Sequence, residues 1–306
     1  MASRFFRAVL RGVLVGAALS AGWVMPARAQ DGVKGDRPGP EGDALTWDPA
    51  WPKFRTGEWI ATGLGIGALL GSRLAPPASG GWQGGTAFDE SARDVLRVEG
   101  QNGRRWARDF SDIGLVINES LPYFDAIVIA GWYRRSAEVA WQQGLITAEV
   151  LAVTAGLQAI VSSVAGRERP YVRNCGDGLP AESRDCTVTD RYRSFYSGHS
   201  SQSFAGAAVA CMHHAYVPLY GGGAADNWAC VGALGVAAAT ALMRVRTDVH
   251  YVTDVATGAL VGGATGVLLP WLLHYRFGPL EAGAEARDWS FSVVPTGLGA
   301  NGVLVF

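Results

Sequence analysis

Six apolar stretches, at residues 59–74, 110–132, 143–166, 200–216, 227–244 and 249–274, set the limits on what this 306-residue chain can become. Each is long enough for about four helical turns or more, and the segment TAEVLAVTAGLQAIVSSVAG, closed by Gly166, has the run and the stop signal of a helix. They read as six core helices. No linker after residue 86 is loose enough to mark a boundary, so the pattern predicts one all-α domain over 87–275. The polar residues of interest gather at the ends of four of these helices.

The flanks read differently. Residues 1–29 carry a basic start (Arg4, Arg7, Arg11), an apolar core and Ala27-Arg28-Ala29, the layout of a secretory signal peptide cut after Ala29. Residues 30–86 are rich in Gly, Pro and Asp and read as a flexible region, with a short apolar helix at 59–74 that is brief for a bilayer span. The tail 276–306 ends in WSFSVVPTGLGANGVLVF, the composition of a β-hairpin around a Gly-rich turn; too few alternating strands exist to close a barrel.

Apolar residues make up 49% of the chain and charged ones 17%, with a formal net charge of −1 and a mean hydropathy of +0.13. That balance leaves no basic stripe for nucleic acid. Cys175 and Cys186 share the polar loop NCGDGLPAESRDC and are predicted to be bridged, in keeping with export. Cys211 and Cys230 lie in apolar helical segments, where core thiols and a second bridge fit equally. There is no CxxC and no evident set of metal ligands, so the expectation is a protein with no metal and no cofactor.

Three polar clusters carry the chemistry. GRERPYVR, 166–173, places Arg167, Arg169 and Arg173 at a helix end, more positive charge than a helix terminus needs. SFYSGHS, 194–200, precedes an apolar helix, so Ser197 and Gly198 supply an N-cap and free backbone N–H groups, beside His199. MRVRTDVHYVTDV, 243–255, puts Arg244 at the end of one helix and His250 and Asp254 at i and i+4 of the next, where a carboxylate can take one imidazole proton and leave the other nitrogen free to attack. Cations, backbone donors, two histidines and a carboxylate suit phosphoryl transfer. His213 and His214 are adjacent and face different ways, which argues against a paired ligand role.

In order and spacing these clusters resemble the type 2 phosphatidic acid phosphatase and vanadium haloperoxidase superfamily, whose signature is K-x6-RP, then PSGH, then SR-x5-H-x3-D. Arg169-Pro170 match the first motif, Ser197-Gly198-His199 the second, with Tyr196 for its proline, and Arg244, His250 and Asp254 the third, with Met243 for its serine. The resemblance implies a six-helix bundle of the PAP2/haloperoxidase kind and a metal-independent phosphatase acting on phosphate monoesters, lipid phosphates above all, through a phosphohistidine. It implies His250 as nucleophile, Asp254 as its orienting partner and His199 as acid and then base, with Arg169, Arg244, Ser197 and Gly198 on the phosphate oxygens. The implied partner is a phosphorylated lipid or a small phosphate ester.

The signature lysine falls on Ser162, which can donate only a neutral hydrogen bond; Arg167, Arg173 and Arg246 are the cations that could restore the charge. That departure motivates a rival reading, an inactive bundle that binds a lipid or an envelope partner. The other relatives imply a broad periplasmic acid phosphatase or a haloperoxidase.

Location divides the same way. An exported N-terminus followed by six spans would place the cysteine loop in the reducing cytoplasm. Either 59–74 fails to span or the bundle is a soluble periplasmic domain. Asp112, Glu119 and Asp125 in the second helix favour a wet bundle, whereas Trp59, Trp132, Trp228 and Trp271 near helix ends fit interface anchors. The reading is periplasmic, with membrane association as the companion expectation.

Overall fold

The computed structural model describes residues 44–79, 81–177 and 184–277, with the backbone of 290–296 and 299–305. The expected signal peptide, residues 30–43 and most of 276–289 lie outside the described residues.

The bundle is helical and free of sheet among the described residues. Its helices are α1 (Thr56–Leu74), α2 (Asp89–Leu96), α3 (Gln101–Phe124), α4 (Ala137–Ala165), α5 (Arg184–Thr187), α6 (Gly198–Tyr216), α7 (Ala224–Arg246) and α8 (Val252–Leu273). Among the described residues eight α-helices stand where six were expected. The six long ones match the apolar stretches; α2 and α5 are two short polar helices of 8 and 4 residues in the connections. Beyond the bundle, Ser290–Thr296 and Gly299–Val305 pair antiparallel, from Ser290 opposite Val305 to Thr296 opposite Gly299.

Local chemistry sets the helix ends. The Ser136 hydroxyl accepts from the Val139 N–H to start α4, and Gly166 at φ +56° ends it. A Cβ at Gly166 would lie 2.4 Å from the Ala78 carbonyl oxygen, so glycine is needed there for space as well as for backbone conformation. Pro122 lies inside α3, and the helix continues past it as a π-helical run, Asp125–Tyr133.

α6 is the central helix, touching α3, α4, α7 and α8. It is rich in Gly, Ala and Ser, and its neighbours approach closely: a Cβ on Gly262 of α8 would meet the Ser201 carbonyl oxygen at 1.9 Å. Polar residues share the interior between helices with alanines such as Ala126, Ala205 and Ala237: Ser111, Asn118, Thr154, Ser201, Ser203 and Thr240 are buried, while Leu64, Phe110, Ile113, Ile160, Val231 and Leu260 face outward. Four helical runs, Gln101–Tyr133, Ala137–Ala165, Ala224–Arg246 and Val252–Leu273, are long and apolar enough to cross a membrane. Asp112 and Asp125 do not face outward. Asp112 meets His199 and Arg244, and Asp125 accepts from Tyr220 and contacts His214, so neither argues for a wetted surface.

The apolar core sits at one end of the bundle. Leu45, Trp47 and Trp51 pack there with Ile146, Val150 and Val209 and with the rings of Tyr216 and Tyr275. Residues 44–54, part of the region 30–86 read as flexible, are held by these tryptophans. α1 runs alongside α4, with Gly65 against Gly156, from this end toward the other, where Ala78 donates to the Ser163 carbonyl. Cys175 is bonded to Cys186 as expected, and the open question of the second pair resolves as a bridge between Cys211 of α6 and Cys230 of α7.

Candidate active site

The three polar clusters meet at the end of the bundle opposite the aromatic core. A cavity there is lined by His250, His199, Arg169, Arg244, Gly198 and Ser162, together with Gln158, Asp190, Arg193 and the α1 residues Leu69, Ser72 and Arg73. α4 delivers Gln158 and Ser162, the turn after it Arg169, the first turn of α6 Gly198 and His199, the last turn of α7 Arg244, and the turn before α8 His250.

His250 is buried, and its Nδ1 lies 2.8 Å from the Ser194 carbonyl oxygen. A carbonyl only accepts, so Nδ1 carries the hydrogen and Nε2 keeps its lone pair. The expected direct partner, Asp254, is 3.7 Å from that nitrogen, beyond hydrogen-bond reach. Asp254 instead accepts from the Ser194 hydroxyl at 2.6 Å, the Tyr251 N–H at 3.0 Å and Arg167 Nη1 at 2.5 Å. It fixes the turn that presents His250 and reaches the imidazole through Ser194. Burial, with the Asp254 contact opposing it and the Arg169 and Arg244 charges adding to it, pushes His250 down to about 3.

Arg167 does not stand in for the missing lysine. It is fully buried between the rings of Trp82 and Tyr251, 4.5 and 4.3 Å from their centroids, and bonds both Asp254 and Asp89. Asp89, the first residue of α2, accepts in turn from the Thr253 N–H and hydroxyl. Arg173 pairs with Glu90, and Arg246 is exposed and does not line the cavity. The cations that do line it near Ser162 are Arg73 and Arg193, which the sequence reading missed. Arg193 is tied to the Ser163 hydroxyl and the Ser72 and Ala75 carbonyls, and Arg73 is exposed at the mouth.

Arg169 and Arg244 point buried Nε atoms at no partner. Arg244 Nη1 reaches Asp112 only at 3.5 Å. Guanidinium donors with bonding capacity to spare beside a polar cavity can bind the oxygens of an anion. His199, half-buried at the rim, is 2.8 Å from Asp112 through Nε2. Burial and the Arg244 charge, against the Asp112 hydrogen bond, push it down to about 4. Gly198 opens α6 and lines the cavity, but Ser197 does not. Ser197 is fully buried, and its hydroxyl accepts from the Ser200 N–H as a cap.

The family model for the PAP2 superfamily matches residues 143–278, the stretch that holds Arg169, His199, Arg244 and His250. No solved structure gives a significant match.

Proposed function

On the premise that residues 143–278 form a PAP2-superfamily domain, we propose that this chain is a membrane-embedded phosphatase that hydrolyses lipid phosphate monoesters through a phosphohistidine at His250. One observation supports it above others: His250, His199 and the guanidiniums of Arg169 and Arg244, each with a buried Nε that has no hydrogen-bond partner, line a single cavity at the end of a bundle whose outer face is apolar. A phosphate dianion has the charge and the acceptors those groups lack.

The chemistry follows from the proton positions. His250 Nε2 attacks phosphorus, the N–P bond forms as the ester P–O bond breaks, and protonated His199 gives its proton to the leaving alkoxide. Water then attacks the phosphoryl group, the N–P bond breaks, and His199 takes the water proton as inorganic phosphate leaves. Arg169, Arg244 and the Gly198 N–H hold the equatorial oxygens. Arg73 supplies the charge that Ser162 lacks.

Apolar side chains outward and polar ones between closely packed helices describe a bundle solvated by lipid. The Cys175–Cys186 bridge sits in the loops at the site end, which supports an orientation with that end toward the oxidising periplasm. With α1 crossing beside α4, residues 44–55 then lie on the cytoplasmic side. An intact mass showing cleavage after Ala29 would contradict this topology.

The substrate reading is tested by comparing a lipid phosphate in mixed micelles with a short-chain soluble monoester. The expected result is recovery in the membrane fraction, kcat/KM at least about tenfold higher for the lipid and near-total loss in His250→Ala. A freely soluble protein preferring the small ester would make it a broad acid phosphatase. Inactivity on both with saturable phospholipid binding would make it a binding module. Vanadate is expected to inhibit; vanadate that switches on halide oxidation would make it a haloperoxidase.

A further inference from the structure

At the opposite end of the bundle three acid and imidazole side chains converge. Glu58 comes from the first turn of α1, Glu149 from α4, and His274 follows α8. One ligand-capable atom of each lies within 4.8 Å of the other two, and all three residues are buried, at 4%, 2% and 0% exposure. They are far apart in sequence, and nothing in their local motifs links them.

His274 Nδ1 is 2.7 Å from the Pro52 carbonyl oxygen and donates to it. With the hydrogen on Nδ1, a neutral imidazole carries its lone pair on Nε2. That nitrogen is 2.9 Å from Glu58 Oε1. Two lone pairs at that distance repel unless a cation lies between or beside them. Glu149 sharpens the need: its Oε2 is buried with no hydrogen-bond partner, and His274 Nε2 likewise has none. Arg55 bonds Glu58, through Nε at 3.3 Å and Nη2 at 3.4 Å, and the Leu273 carbonyl, but not Glu149.

We propose that Glu58, Glu149 and His274 hold a divalent transition-metal ion of the zinc class. One imidazole nitrogen and two carboxylate oxygens are a donor set zinc takes, at about 2.0–2.2 Å. With such bonds a 2.9 Å separation of Nε2 and Oε1 corresponds to an angle of about 90° at the metal. The Pro52 carbonyl fixes the imidazole tautomer, as outer partners of metal-bound histidines do. Two carboxylates neutralise the ion, which suits a buried site, and three protein ligands leave one position for water. Arg73, at the cavity, is 15 residues along α1 from Glu58, about 22 Å away. The ion is therefore a staple joining α1, α4 and the end of α8, with no part in the phosphoryl chemistry.

The test uses the full chain in detergent. Elemental analysis of the native protein is expected to show about one zinc per chain. After stripping with chelator, added Zn²⁺ at about 100-fold over its Kd is expected to raise Tm by about 5 °C or more, and Co²⁺ to give a visible ligand-field spectrum. Glu149→Gln and Glu58→Gln are expected to lose the metal and the Tm response. Wild-type protein that holds no metal, and whose Tm ignores added Zn²⁺ and Co²⁺, would overturn the proposal and leave protons as the cations of the cluster. Metal retained in full by both variants would overturn it too, by placing the ion elsewhere. The wild-type measurements decide the matter even if a variant fails to fold. A phosphatase without metal would leave the reading of the catalytic site intact, and a zinc protein without phosphatase activity would leave this one intact.

Discussion

Replacing Arg167 by methionine keeps most of the side-chain volume and removes the charge that Asp89 and Asp254 share. Arg167 bonds those carboxylates at 2.8 and 2.5 Å, and all three side chains are fully buried. Breaking a buried pair by removing one partner costs about 3–5 kcal/mol, because the remaining charge cannot be hydrated. Here two carboxylates are stranded, so the upper part of that range applies, and for a chain of this size Tm should fall by about 10 °C. Activity should fall with it. Asp254 anchors the Tyr251 N–H and the Ser194 hydroxyl, and the Ser194 carbonyl orients His250; misplacing the nucleophile by about 1 Å costs about 100-fold. The assays are thermal unfolding in detergent and kcat/KM on a lipid phosphate. A double-mutant cycle with Asp89→Asn should give a coupling of about 1–3 kcal/mol. Wild-type Tm in Arg167→Met would refute the argument. Unchanged Tm with activity lost would instead put Arg167 on the phosphate.

Three further outcomes are expected. In the free enzyme His250 must be neutral to attack, which holds above about 3, and His199 must be protonated to act as acid, which fails above about 4; kcat/KM should therefore peak on the acid side and fall as pH rises. A bound phosphate dianion offsets the Arg169 and Arg244 charges, so the kcat profile should extend to higher pH, and Asp112→Asn, which removes the contact that raises His199, should move the falling limb of kcat/KM down; a limb that Asp112→Asn does not move would contradict this. Arg73→Ala should lower kcat/KM by about tenfold, the worth of one charge-assisted contact, and Ser162→Lys in that background should restore part of it; an unaffected Arg73→Ala enzyme would remove Arg73 from the phosphate site.

The convergence of Arg169, His199, Arg244 and His250 was legible because each sits at a helix end beside a turn, and helix ends on one side of a bundle share a site. The true partner of His250 Nδ1 was not, because it is a backbone carbonyl, and carbonyls carry no sequence signal. Arg167 was read as one of the cations that could replace the missing lysine. Its place is set by Asp89, 78 residues away, which no local pattern reveals. Asp112 and Asp125 counted against a lipid-facing surface only because their direction was unknown; both turn inward. The fixed stretch 44–54 was hidden by composition, since Gly and Pro dominate the region while Trp47 and Trp51 do the packing.

The central claim is that phosphorus passes through His250. Purified protein mixed with lipid substrate carrying a radioactive phosphate and quenched in alkali within milliseconds should carry label on the chain, stable to base and lost in mild acid, as an N-linked phosphate is. Peptide mapping should place it on the segment that contains His250, and His250→Ala should show none. A wild-type enzyme that turns over substrate with no covalent label at any quench time, or a label that maps to another residue, would contradict the account.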